Sequence, residues 1–263
     1  MRPPAALLLL PLLAACASRP AVVTRPPTRV PDFVSKPYEP LSRAATVAIA
    51  QREWRLFGSP VDDDKPGTRP EPAPQDKPER QDGFWQRIGE YWWLGLNPDA
   101  LETSWTGKHD EFGVAFPAAD DGDFAWSAAF ISYVFRIAGA GSAFPYDRAH
   151  HVYIDAARMG ATTLLAAEKL DAYAPQQGDL ICASRGAKSV RYDMLPAGPF
   201  TAHCDIVVAT TPGQISVIGG NVDDAVTLKH VPVTPDGKLA RADGTVLDTR
   251  FRWFVVVRVN YEH

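Results

Sequence analysis

Apolar residues recur at helical spacing in the first half of the chain, whereas the second half reads as short strands separated by turns. In the stretch 123–139, apolar side chains form one face of a helix: Phe130, Ile131, Val134, Phe135 and Ala138. Similar spacing predicts helices over 43–57, 84–96 and 148–159. Strands are predicted over 180–182, 203–209, 214–221, 226–233 and 253–259. Helices followed by an antiparallel sheet predict an α+β fold, in a single domain over 41–263.

Ser127 falls in or near the first turn of the helix predicted over 123–139. Asp121 and Asp123 occupy positions typical of a helix start, and Gly139 lies where the helix should end. Backbone N–H groups at that end lack helical acceptors, so they can stabilise an oxyanion beside a nucleophile. Ser127 is therefore either a candidate nucleophile or simply a small polar residue of the first turn.

A hairpin around Pro212 suggests a partner for a catalytic base. If the loop has an odd number of residues centred on Pro212, then His203 opposes Asn221 directly, at about 5 Å. An imidazole beside a side-chain amide is the arrangement that orients a general base. Asp205 lies two residues after His203, on the same face of the strand, and is the second candidate for the orienting group.

Other polar and aromatic clusters give weaker indications. The aromatic segment 84–96 fits either core packing or a groove that binds glycans. His150 and His151 point about 100° apart on a helix, which disfavours a shared metal, although one of them can line a substrate cleft. The sequence therefore predicts neither a metal site nor a cofactor.

The N-terminal segment 1–16 has the features of a secretory signal. Arg2 precedes an apolar run that ends in Leu13-Ala14-Ala15-Cys16, and this run is too short to span a membrane. The last four residues resemble the lipobox of bacterial lipoproteins, in which the cysteine becomes the lipidated N-terminus. With Ala17 after Cys16, that resemblance implies an outer-membrane lipoprotein facing the periplasm, held to the membrane by its acyl chains.

Proline and charge outline the rest of the chain. Prolines over 17–40 predict an extended tether, and the proline-rich, acidic stretch 58–82 predicts a loop or a disordered insert. The net charge is −4, and no Lys/Arg-rich run interleaves with aromatic residues, which argues against a nucleic-acid partner. Beyond Cys16, Cys182 and Cys204 fall in separate predicted strands, either as a disulfide formed after export or as two buried thiols.

Four short motifs together resemble papain-like cell-wall amidases and peptidases of the NlpC and CHAP types. In chain order they are Trp126-Ser127-Ala128-Ala129-Phe130-Ile131-Ser132-Tyr133-Val134, Gly178-Asp179-Leu180, His203-x-x-Ile206-Val207 and Gly219-Gly220-Asn221. The run is more similar still to an uncharacterised domain family of bacterial lipoproteins and secreted proteins that also reads Trp-Ser-Ala-Ala-Phe. The resemblance covers roughly residues 41–259.

The resemblance implies a papain-like fold that acts on peptidoglycan peptide by amide hydrolysis. It implies Ser127 as nucleophile, His203 as base and Asn221 or Asp205 as the orienting group. The amidases have a cysteine where this chain has Ser127, and a hydroxyl cannot be ionised in advance as a thiol can. Three outcomes stay open: a working serine site, a site that binds cell-wall peptide or a protein partner without cutting, or an unrelated role.

Overall fold

The fold begins with helices and continues as a sheet. The computed structural model describes residues 39–104, 108–110, 112–117, 120 and 124–261. Within these residues the α-helices are α1 (Arg43–Leu56), α2 (Phe84–Gly95), α3 (Ser127–Ile137) and α4 (His150–Met159). Each lies within two residues of its predicted bounds, apart from the later start of α3. Ser42 caps α1, since its Oγ accepts from the backbone N–H of Ala45 at 3.1 Å.

The strands form one open antiparallel sheet. They are β1 (Leu165–Glu168), β2 (Leu180–Ser184), β3 (Ala202–Thr211), β4 (Gln214–Val222), β5 (Ala225–Pro232) and β6 (Trp253–Val259). Their order across the sheet is β1-β6-β2-β3-β4-β5, and each pairs antiparallel with its neighbours. The predicted α+β class is confirmed.

Side chains that alternate along β3 separate two buried clusters. Cys204 and Ile206 pack in the same cluster as Phe130 of α3, on the helix-covered face of the sheet. Val207 packs with Trp253 in a second cluster on the opposite face. Residues of odd number at the start of β3 therefore belong to the second face. In α2, Tyr91 and Trp92 are fully buried, so these aromatic residues serve core packing rather than a groove.

The β3–β4 hairpin has a shorter turn than the sequence predicted. Thr211 pairs with Gln214, so two residues rather than three connect the strands. A register shift after Val207 then adds one residue to β3, and Ile206 pairs with Ile218. The predicted register is thus correct at Ile206 and Ile218, far from the turn, although the predicted length of the turn is wrong.

Cys182 and Cys204 form a disulfide between directly paired residues of β2 and β3. Their Cα atoms are 4.1 Å apart, and both side chains lie in the helix-covered cluster. Of the two alternatives left by the sequence, the disulfide is the one found. It connects the two strands beside His203.

The segment 58–82 is a loop that packs in part against the sheet, which is one of the two alternatives that the sequence left open. Val61 bridges Leu228 at the β5 edge of the sheet, and Lys77 and Glu79 are buried. Two short 3₁₀-helices occupy its second half, Pro74–Asp76 and Pro78–Arg80. Acidic residues and prolines dominate its composition, but ion pairs hold some of its charged side chains, within the segment between Arg69 and Asp62 and to the β4–β5 turn between Lys77 and Asp224.

The predicted signal, its lipidation site Cys16 and the tether up to residue 38 lie outside the described residues. In the part of the chain that is described, no helix combines the length and apolar character needed to cross a bilayer.

Candidate active site

The start of α3 is the first component of the site. Ser127 is the first residue of this helix and Trp126 its cap, so Asp121 and Asp123, which lie outside the described residues, are not the cap. The first helical hydrogen bond runs from the Phe130 N–H to the Trp126 carbonyl at 3.0 Å. The N–H groups of the first three helical residues therefore have no acceptor within the helix.

His150, rather than His203, is the hydrogen-bond partner of Ser127. The Oγ of Ser127 lies 2.6 Å from Nε2 of His150, which is the first residue of α4. The other ring nitrogen, Nδ1, bonds the hydroxyl of Tyr153, one helical turn further on. Burial, with repulsion from His203, holds the pKa of His150 well below its usual value, so the ring is neutral at neutral pH.

The predicted contact between Ser127 and His203 is therefore corrected. The two imidazole rings are neighbours, with centroids 5.4 Å apart, but His203 belongs to the second face of the sheet. Its Nε2 bonds Oδ1 of Asp205 at 2.9 Å, and its Nδ1 has no hydrogen-bond partner among the described residues. The sequence did place His150 at a helix start, but nothing in it showed which strand or helix that start would meet.

Asp205 is the residue that orients His203, as its i+2 position suggested. Its second oxygen, Oδ2, forms an ion pair with Nζ of Lys229 at 2.7 Å, and all three side chains are buried. Burial alone would raise the pKa of Asp205, but Lys229 and His203 hold it well below its ordinary range. Burial, reinforced by the nearby charges of Arg185 and Lys229, lowers the pKa of His203 to about 4. The carboxylate is therefore charged, and the His203 ring is neutral.

Two glycines of β4 allow the start of α3 and the His203–Asp205 pair to approach the strand closely. A Cβ on Gly219 would lie 1.8 Å from Oδ1 of Asp205 and 2.9 Å from Nε2 of His203. A Cβ on Gly220 would lie 2.6 Å from that of Phe130 and 2.8 Å from the Trp126 ring. The Gly-Gly motif is explained by close packing on both faces of one strand.

Asn221 does not orient His203. Its φ is +55°, and it lies where the β4–β5 pairing shifts register between Gly219 and Val222. Among the described residues, no hydrogen bond joins its amide to the imidazole; instead it lines a cavity of about 500 Å³ beside the site. The prediction that Asn221 faces His203 across the hairpin was wrong. A residue with a left-handed backbone does not continue the regular alternation of side chains between the two faces of the sheet.

A buried carboxylic acid supports the residue before Ser127. Nε1 of Trp126 donates to Oε2 of Glu79 at 2.7 Å, and Nζ of Lys108 lies 3.5 Å from Oε1. Burial raises the pKa of Glu79 to about 7, against the attraction of Lys108. The loop that carries Glu79 is thus attached to the start of α3.

Glu79→Gln is expected to flatten the dependence of stability on pH. The unfolded side chain loses its proton near pH 4.5 and the folded one near 7, so its contribution is complete below 4.5 and is lost as the pH rises to about 7. This displacement of the pKa corresponds to about 3 kcal/mol. Urea unfolding at pH 4.5, 6 and 8 measures it, with the exposed Glu39→Gln as control. Parallel pH curves for wild type and Glu79→Gln would contradict the assignment.

Metal-ligand clusters are not part of this site as far as the structure describes the chain. No group of three or more His, Cys, Asp or Glu side chains among the described residues is arranged to hold a metal ion. The site therefore consists of two neighbouring groups, Ser127–His150–Tyr153 and His203–Asp205–Lys229.

Comparison with known proteins identifies the family of the chain. No curated protein and no solved structure matches it. Residues 79–259, which contain both groups of the site, match the family described as uncharacterized protein conserved in bacteria, DUF2272. The chain therefore belongs to the DUF2272 family.

Proposed function

We propose that this protein is a serine-dependent amide hydrolase with Ser127 as nucleophile and His150 as general base. The observation that carries the proposal is the 2.6 Å contact between Ser127 Oγ and His150 Nε2 at the start of a buried helix. A neutral imidazole within hydrogen-bond distance of a hydroxyl is the arrangement that activates a serine. For Nε2 to accept the proton, Nδ1 must carry its own and donate it to Tyr153.

The chemical steps follow from this geometry. Ser127 Oγ attacks the amide carbonyl as its proton passes to Nε2 of His150, and the free N–H groups of α3 face the developing oxyanion. The C–N bond breaks as the imidazolium returns that proton to the leaving amine, which leaves an acyl-serine. Water then attacks the ester with His150 again as base, and Ser127 is regenerated with release of the carboxylic acid.

His203 has a supporting role in this proposal. Its ring lies beside that of His150, and because burial keeps His203 neutral at neutral pH, it adds no charge that would oppose the transfer of a proton to His150. Asp205 fixes the orientation of His203, and Lys229 neutralises that carboxylate. In the NlpC and CHAP arrangement that the sequence resembles, by contrast, the histidine at the position of His203 is itself the base.

For the substrate we propose peptidoglycan peptide, and for the location the periplasmic side of the outer membrane. Three features support this: the resemblance to cell-wall amidases, the predicted lipobox at Cys16, and the disulfide between Cys182 and Cys204. Disulfides persist in oxidising compartments such as the bacterial periplasm. The papain-like fold belongs to the same proposal.

A non-catalytic role in binding cell-wall peptide is the second candidate. The side chains of the site are scarcely exposed, at 9% for Ser127, 5% for His150 and 1% for His203. A hydroxyl in a site shaped for a larger sulfur is also a weaker nucleophile than a thiolate. This candidate predicts that the protein sediments with purified sacculi and releases no fragments.

Turnover of sacculi by wild type and Ser127→Ala tests the proposal. The mature protein in detergent is incubated with sacculi, and released fragments are measured by chromatography. Loss of the nucleophile is expected to lower the rate by at least about 10³-fold, with an unchanged melting temperature. Ser142→Ala, at an exposed serine, is the matched control and should keep full activity. Equal release by both proteins, or none by either, would overturn the enzymatic proposal.

A further inference from the structure

A cavity formed by described residues lies beside the site and has no assigned role. Its volume is about 500 Å³, and its walls come from the 62–72 loop, the β4–β5 turn, Arg185 and Phe251. Asn221, near the end of β4, also lines the cavity and lies two residues after Gly219, which abuts His203. The cavity is therefore adjacent to the second group of the site.

The acidic residues of the cavity wall are all paired. Arg69 forms ion pairs with three of them, Asp62 at 3.1 Å, Asp64 at 2.6 Å and Asp223 at 3.3 Å. Lys77 forms ion pairs with the other two, Glu71 at 3.0 Å and Asp224 at 3.5 Å. Each of these carboxylates thus lies beside an internal cation, but Arg69 and Lys77 offset only two of the five negative charges, so an anion can be held only close to the remaining cations of the wall.

Two cations of the wall, Arg185 and Lys65, form no side-chain hydrogen bond or salt bridge in the part of the chain that the structure describes, although the Asp205 carboxylate attracts Arg185 from inside the protein. The backbone N–H of Arg185 donates to the Thr201 carbonyl at 2.8 Å, so the pairing of β2 with β3 continues as far as Arg185. Arg185 lies two residues after Ala183, which pairs with His203. Arg185 and His203 therefore lie on the same face of the sheet. The charge of Arg185 also lowers the pKa of His150 and of His203, so it acts on both rings.

We propose that this cavity binds a carboxylate group of the peptide substrate, with Arg185 as its anchor. A guanidinium offers two parallel N–H donors that match a carboxylate, and the amide of Asn221 offers a further donor on the same wall. Phe251 provides an apolar surface for an aliphatic side chain. That the ligand is a substrate rests on the proposed function. The binding of its carboxylate can be measured separately from turnover.

The test measures binding in the Ser127→Ala background, where turnover does not interfere. The probes are N-acetyl-alanyl-alanine, its C-terminal amide and inorganic phosphate, titrated into the protein in detergent and followed by calorimetry. The free acid is expected to bind about 10- to 100-fold more tightly than the amide, as for a hydrogen-bonded charge. Arg185→Gln should remove that preference, and Arg185→Lys should restore part of it.

Arg241→Gln is the matched control, because it removes an exposed cation that does not line the cavity. It should bind the free acid as Ser127→Ala does, and the melting temperatures of all variants should agree. Equal binding of acid and amide, or unchanged binding in a folded Arg185→Gln protein, would overturn the proposal. Phosphate that binds as tightly as the peptide acid would also overturn it, in favour of a general anion site. Peptide binding without any hydrolysis of sacculi would support this inference and contradict only the enzymatic one.

Discussion

Lys229→Met is expected to lower the free energy of unfolding by about 3–5 kcal/mol, the cost of breaking a buried ion pair. Nζ of Lys229 and Oδ2 of Asp205 are 2.7 Å apart, and both side chains are fully buried. Without the ammonium, the carboxylate keeps only the hydrogen bond to His203, in surroundings that disfavour its charge. Urea unfolding at pH 7 measures the loss.

Lys238→Met is the matched control for this change. Lys238 pairs with Asp236 at 2.9 Å on the surface, where an ion pair contributes about 0–1 kcal/mol. The double variant Lys229→Met with Asp205→Asn should recover part of the lost stability, because no uncompensated charge then stays buried. Similar small losses for Lys229→Met and Lys238→Met would show that the buried pair does not stabilise the fold.

His150→Gln is expected to lower the rate of sacculus hydrolysis by about 10²–10⁴-fold, the usual contribution of a general base. His203→Gln should keep most of the turnover, because its ring does not contact the Ser127 hydroxyl in the described structure. Both variants are compared with wild type by fragment release and by melting temperature. The reverse order of effects would assign the base to His203, as the family resemblance implies.

The pH profile provides a second readout for the same assignment. Since burial holds the pKa of His150 well below its usual value, the base stays unprotonated as the pH falls. Activity should therefore persist below pH 6.5, the ordinary value for histidine. A rate that falls with a midpoint near 6.5 would indicate an exposed, unperturbed imidazole as the base.

The sequence predicted most of the regular elements because their patterns are local. Helical spacing identified α3, and turns with alternating apolar residues identified the strands from β2 onward. The strand β1 was missed, since Leu-Ala-Ala-Glu is short and lacks β-branched residues, and pairing with β6 alone makes it a strand. The sequence left open whether the segment that contains Glu79 is an ordered loop, because its contacts with Trp126 and with Asp224 are distant along the chain.

The site was predictable only where two functional residues lie close in sequence. The pair His203–Asp205 followed from strand alternation, and Ser127 from its position at a helix start. The contact of His150 with Ser127 depends on how α4 meets α3, which no local pattern records. Asn221 was misassigned because its left-handed backbone interrupts the regular geometry of β4 where the pairing with β5 shifts register.

At Gly219 and Gly220, β4 has no side chains, so its neighbours on both faces contact the backbone directly. The helix that carries Ser127 rests on one side of it, and the carboxylate that holds His203 rests on the other. A single peptide thus sets the spacing between the two groups of the site, with no intervening side chain to absorb a displacement. A side chain at Gly219 would therefore displace the carboxylate of Asp205, which pairs with Lys229, and one at Gly220 would displace α3.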